Sequence, residues 1–375
     1  MNITFIGDIM LGRLVSNKYR NKPYQVVSQE IINDIKNDFV VANLESPLVS
    51  EGGIAKDHMC FGGDPEILKQ MGWINLFSTA NNHINDFGDK GISNTISELE
   101  NRGFKHNGIY KGRYTPFLNE SERLAIITLT DLMNHEIGGG SEYKLLRMDS
   151  PEVVDCINDY TQKGYFVIIF AHVGMLFTRY PNPITFDYLH RYVDAGAKLI
   201  VTAHSHCLGG IEYYKDVPIV HSLGDFLMDG SSFRRRRAAF LTVEIERHQI
   251  KGLSLHPVET SLSLRVEYPK EKTRKKMMTS VAYVSRKIEN HSNKYPSFYR
   301  YQYNKEMIAH SLSTVGFLFK TRGLFGFFKI IYKRIDEVFS MVKWSVTDRS
   351  KVQSDIDALK VKNKVSEDEF IKMNE

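Results

Sequence analysis

Cysteine is scarce: Cys60, Cys156 and Cys207 are the only three in 375 residues, widely spaced and without a CxxC pair. That excludes a disulfide framework and a zinc ribbon and points to a reducing compartment. No window of 18 apolar residues is free of charge, so no transmembrane helix is expected. The opening MNITFIGDIMLGR has no positive leader, and Asp8 breaks its apolar run too early for a signal peptide. The expectation is a first strand that starts at once and a cytoplasmic protein. No GxxxxGK[ST] or GxGxxG is present, which excludes the known phosphate-cradling nucleotide loops. The DFG at Asp86–Gly88 has no HRD catalytic loop, and neither Ser205 nor Ser222 sits in GxSxG, so kinase and serine-hydrolase readings fail. A net charge of +5 permits an acidic partner but falls short of a nucleic-acid footprint. There is no internal repeat and no low-complexity tract.

What is present is a regular alternation over the first 225 residues. TFIG, a helix around SQEIINDIKND, FVVA, INLFSTA and a helix with Ile92, Ile96 and Leu99 at i, i+4, i+7 follow one another. LAIITLT, a helix near 151–163, FVIIFAH, a helix with Leu189 and Val193, KLIVTAH and IVHSLGD continue the pattern. This predicts a layered α/β fold whose strands are buried on both faces. FLTVEIE and the segment near GLSLHP close a first domain at about residue 268, and 269–375 reads as a mainly helical, basic extension with a frayed tail. KEKTRKK within it reads as a solvated charge run.

Chemistry gathers at the strand ends. TFIGD ends at Asp8, VVANLE at Asn43 and Glu45, LFSTANNH at Asn82 and His83, FVIIFAH at His172, and KLIVTAHSH at His204 and His206. Each group alone has an ordinary reading as a cap, a turn residue or a core histidine. Five apolar strands ending in ligand-type side chains instead predict one cluster at a common sheet edge, where open α/β folds keep their sites. An oxygen and nitrogen set without thiolate suits Mn, Zn or Fe.

The ordered set GDIMLGR, VANLESPL, ANNHINDFGDKGISNTISEL, AHVG, DAGAKLIVTAHSHCLGGIE and PIVHSLGDF, over about residues 1–230, resembles the CapA family of capsule and poly-γ-glutamate biosynthesis proteins. The resemblance implies a layered α/β/β/α sandwich of the metallophosphoesterase, calcineurin-like type with a helical C-terminal extension. It implies one or two divalent metals: Asp8 on the first, Glu45 bridging, Asn82, His172 and His204 on the second, and His206 returning to the first. His83 would protonate the leaving group and Asp86 would orient it, with Asn43 and Asn81 near the substrate. The chain departs from the pattern of ordinary phosphoesterases at Met10, where they carry histidine, so the second position is expected to be better formed than the first. Val173 and Leu176 replace an aromatic and a glutamate of the family, and Asp225 replaces an asparagine. Many members also carry an N-terminal anchor or export signal, which is not expected here.

Two readings of function stay open at this point. One is a metal-dependent hydrolase of a phosphoester or an amide, acting on an anionic polymer or surface-glycan intermediate. The other is a non-catalytic assembly factor of a capsule synthesis complex. The run Arg234–Arg237 is either a solvated turn or an anionic-substrate rim, with Arg234 and Arg235 its leading candidates. Leu324, Phe328, Ile331, Ile335, Val338 and Val342 form one helical stripe. It would pack on the domain or on a partner such as a capsule synthase, or would lie on the inner membrane face.

Overall fold

A computed structural model describes residues 1–20, 22, 24–49, 60–131 and 134–333, with side chains described as far as 321. The side chains of Leu324, Phe328 and Ile331, and residues Ile335, Val338 and Val342 altogether, lie outside the described residues, as does the tail.

Two sheets face each other. The first has eight strands, and from its middle to one edge Asn2–Ile9, Phe39–Leu44, Leu76–Ser78 and Lys105–Asn107 run parallel. The long hairpin of Arg237–Glu246 and Gln249–Thr260 is added antiparallel beside the first strand. In the second sheet of six strands, Leu124–Thr130, Phe166–His172, Leu199–Ala203 and Val217–Val220 are parallel neighbours.

The side-chain period of two sorts each strand between layers. Ile3 and Phe5 join Ile126, Ile168 and Val201 in the core between the sheets. Ile6 faces the other way, and a register shift around Asp8 turns Ile9 to the same side, onto Val15, Ile31 and Ile67 of the short helices that cover the first sheet. Ile127, Ile169 and Ile200 pack outward on Val153, Ile157, Leu189 and Val193 of the helices Pro151–Gln162 and Pro183–Ala195. Three apolar interfaces separate four layers, which is the α/β/β/α order. Both helices begin as the sequence dictates, with proline in the first turn after an N-cap side chain: Ser150 accepts from the Glu152 amide and Asn182 from the Thr185 amide.

Close backbone approach requires glycine at position 7. At Gly7 a Cβ would stand 2.2 Å from the carbonyl oxygen of Gly224, where the strand Asp225–Leu227 joins the first strand in parallel.

The chain then leaves the sheets but stays on them. The helix Glu271–Glu289 buries Met277, Val281, Val284 and Ile288, and the helix Tyr295–Lys333 follows it. Tyr295, Phe298, Tyr299, Tyr303 and Met307 pack with Val284 and Ile288 against Tyr180 and Phe186. Glu306 is 3% exposed and enters between two arginines, accepting from Arg179 Nη2 at 2.7 Å and Arg234 Nη2 at 2.5 Å. The opposite face of the same helix exposes Ile308, Leu312, Val315 and Phe319 at i, i+4, i+7, i+11. Among the described residues no helix is long and apolar enough to cross a membrane.

Candidate metal centre

Strand register brings the site together. Asp8 pairs with Asn43 on one side and Asp225 on the other, and Asn43 pairs with Ser78, so three carboxyl ends of the first sheet align. In the second sheet Ala203 pairs with His172, which places His172 and His204 on the facing edge. His204 and His206 take positive φ values of 97° and 57°, unusual for residues with a Cβ. The turn holds because the His204 amide donates to Asp8 Oδ2 at 3.1 Å. Such local strain concentrates where a side chain must be aimed.

Glu45 stands at the centre, fully buried. Its Oε1 lies 3.7 Å from His172 Nε2, 3.8 Å from His206 Nε2 and 3.9 Å from His83 Nε2. Neither of its oxygens accepts a hydrogen bond from any described residue. Around it, His172 Nε2 is 2.8 Å from Asn82 Oδ1 and 3.0 Å from His204 Nδ1. Asp8, Glu45 and His206 form the neighbouring group, their ligand atoms within 4.8 Å of one another. All six side chains expected from the sequence to hold metal converge here.

The surrounding groups aim these atoms. Asn82 Nδ2 donates to Asn134 Oδ1 at 3.0 Å, which turns the amide oxygen of Asn82 toward His172. His172 Nδ1 lies 3.5 Å from Asp8 Oδ1, the acceptor an imidazole needs on its far nitrogen when the near one is a ligand. His206 Nδ1 is held by Asp225 Oδ1 at 2.6 Å, so the unexpected aspartate orients that ring. His83 Nδ1 is held by Asp86 Oδ2 at 2.7 Å, and Phe61 stacks on the same ring at 3.7 Å.

Burial and neighbouring charge set the protonation states. Burial first, then the charges of Asp8 and Asp225, pushes Glu45 well above the usual carboxylate range. Burial also drives Asp8 up, but the hydrogen bond and charge of His172 and the charge of His206 outweigh it and hold Asp8 below its ordinary value. Burial and the nearby His172 and His206 push His204 well down, which keeps its ring neutral. Burial lowers His83 too, against the opposing pull of Asp86.

This donor set fits a divalent cation. A buried carboxylate with both oxygens unpaired costs several kcal/mol, and a cation between it and neutral imidazoles removes that cost. Met10 offers little: it is fully buried beside Phe61 and Met228, and its sulfur already accepts from the Gly12 amide at 3.0 Å.

The residues expected near a substrate make hydrogen bonds within the protein. Asn43 is buried and donates to Asp8 Oδ1 at 2.7 Å, and Asn81 donates to the Leu44 carbonyl at 2.7 Å while accepting from the His83 amide. Both amides are occupied in aiming the site. Arg234 is committed to Glu306, and Arg236 to the carbonyls of Gly230, Thr260 and Ser261, so the arginine run is not an open rim. Arg235 alone turns toward the site, with Nε 3.4 Å from Asp225 Oδ2. Phe61 and Asn134 were missed altogether, since neither belongs to a motif and both reach the site only through the fold.

Comparison with known proteins gives the family. Over 307 residues the chain is 23% identical to the PGA biosynthesis protein CapA of Bacillus subtilis (strain 168), covering 77% of this chain and 80% of that one. It is 25% identical over 275 residues to the capsule biosynthesis protein CapA of Bacillus anthracis, covering 69% and 67%. Among solved structures, the 5'-nucleotidase of Candida albicans SC5314 superposes with a TM-score of 0.40 at 10% identity, over 75% of this chain and 58% of that one, too slight a likeness to carry an argument. The model of the bacterial capsule synthesis protein family PGA_cap matches residues 2–230, the span that holds every residue of the cluster, and the chain belongs to that family.

Proposed function

We propose that the chain is a metal-dependent hydrolase acting on an anionic polymer or surface-glycan intermediate of capsule or poly-γ-glutamate biosynthesis. The observation that carries this is Glu45, buried with both oxygens unpaired among three imidazoles. Glu45, Asn82, His172 and His204 would hold the tighter ion, and Asp8, Glu45 and His206 a weaker one that Met10 does not reinforce. A divalent ion there supplies Lewis acidity toward an ester or amide oxygen and toward water.

The chain supplies the rest. Asp86 accepts only, so it fixes the His83 proton on Nδ1 and leaves Nε2 to face Glu45 and Asn134. Because burial keeps the ring neutral, His83 acts as a relay: it takes at Nε2 the proton that the attacking water gives up and returns it to the leaving group. Phe61 covers one face of the ring and limits its contact with water. The substrate class rests on the names of the CapA relatives and on Arg235, whose guanidinium reaches Asp225 beside the cluster.

The catalytic unit we assign to residues 1–268 and the extension to 269–375. The exposed apolar ridge Ile308, Leu312, Val315 and Phe319 supports a role for the extension in meeting a capsule synthase or the inner membrane face.

One observation favours an assembly factor instead: Leu176 stands 37% exposed at the position where the resemblance implies a glutamate. The test is turnover of a phosphodiester and a γ-glutamyl peptide panel with Mn, Zn or Fe, wild type beside His83→Gln. Hydrolysis lost in the variant supports the enzyme. Metal binding with no turnover of any substrate supports the assembly factor.

A further inference from the structure

Beside the first cluster lies another set of ligand-type atoms that share one residue with the proton relay. Cys60 Sγ is 3.6 Å from His135 Nε2, His135 Nε2 is 3.8 Å from Asp86 Oδ1, and the three atoms lie within 4.8 Å of one another. Around a tetrahedral zinc, sulfur and nitrogen ligands stand about 3.6 Å apart and nitrogen and oxygen about 3.3 Å. Only a small closing movement separates the observed spacing from that geometry.

Asp86 supplies the independent observation. It is fully buried, and its Oδ2 accepts from the Phe61 amide and from His83, both at 2.7 Å. Its Oδ1 accepts from no described residue and is aimed at Cys60 and His135. A buried carboxylate oxygen in that position is a vacant donor to a cation. Cys60 and His135 are half-buried, so an ion has a way in.

We propose that Cys60, Asp86 and His135 form a separate, thiolate-bearing cation site, selective for zinc over manganese, that regulates the relay through Asp86. None of its three ligands belongs to the Glu45 cluster. Thiolate selects the softer ion, and binding releases the Cys60 thiol proton to solvent. With Oδ1 drawn to zinc, the Asp86 carboxylate holds the His83 Nδ1 proton less strongly, so zinc inhibits the manganese-loaded protein. This regulatory half rests on the hydrolase reading; the site itself does not.

The test uses cobalt on the full chain. Wild type should show a near-ultraviolet thiolate-to-cobalt charge-transfer band. Cys60→Ser should lose it while keeping the visible cobalt bands of the Glu45 cluster, which also report that the variant is folded. Cys207→Ser, which removes the thiol next to His206, should keep the band. Zinc affinity at this site should fall by more than about tenfold in Cys60→Ser. No band in wild type, or a band that survives in Cys60→Ser, overturns the site. With manganese bound, added zinc should slow turnover in wild type and not in Cys60→Ser; equal inhibition of both overturns the regulatory half. A chain that shows the band but hydrolyses nothing upholds the site and overturns the hydrolase reading alone.

Discussion

Replacing Glu45 by glutamine should change stability in opposite directions with and without metal. In the metal-free protein Glu45 is buried, both oxygens are unpaired, and Asp8 and Asp225 repel its charge. Relief of an unsatisfied buried group is worth about 1–3 kcal/mol, and a glutamine amide can donate to the neighbouring carboxylates. At about 2–4 °C per kcal/mol for a domain of this size, Glu45→Gln should raise the metal-free Tm by roughly 2–12 °C. The sign with pH follows from the raised pKa. A carboxyl that binds its proton more tightly when folded contributes fully below its unfolded pKa of 4.5 and loses that contribution as pH rises. The variant and the wild type should therefore match in acid and separate above pH 4.5. Adding manganese at a thousand times its Kd should stabilise wild type by about 4.1 kcal/mol and the variant by little, so the order reverses. Thermal unfolding followed by circular dichroism on dialysed and manganese-loaded samples measures both. A variant that is less stable without metal, or that gains as much as wild type with it, refutes the reasoning.

Other outcomes are expected. His83→Gln should lower kcat by about 10²–10⁴-fold while metal content measured by mass spectrometry stays at the wild-type level. Glu306→Gln leaves Arg179 and Arg234 without their shared carboxylate and should cost about 3–5 kcal/mol in urea unfolding, with faster proteolysis in the C-terminal helix. Glu212 accepts from His190 at 2.7 Å and His221 at 3.0 Å; although burial drives it up, these partners hold it at about 2. That depressed pKa is worth about 3 kcal/mol, present above pH 4.5 and lost as pH falls toward 2, so Glu212→Gln should flatten the acid limb of stability against pH.

The ligands were legible because each closes an apolar run, where a polar side chain at a strand end contradicts the local pattern. Asp8, Glu45, Asn82, His172, His204 and His206 all announce themselves this way. The groups that aim them carry no such contrast. Asn134 lies in a polar loop, Cys60 and Phe61 precede a turn, and their meeting with His83 and Asp86 depends on contacts 22 or more residues apart in sequence. The arginine run misled for the same reason: its charge was visible, but its partner Glu306 lies 72 residues away on a helix whose docking no local pattern encodes. The strands Lys105–Asn107, Phe117–Asn119 and Lys144–Leu145 are too short for a period of two to register.

The central claim is tested most directly by titrating manganese into the metal-free protein and following turnover of a phosphodiester and a γ-glutamyl peptide, wild type beside Glu45→Gln. The account predicts no turnover without metal, a rate for at least one substrate that rises and saturates as the Glu45 cluster fills, and a flat response in the variant. Turnover that ignores manganese, or that is the same in both proteins, would contradict it.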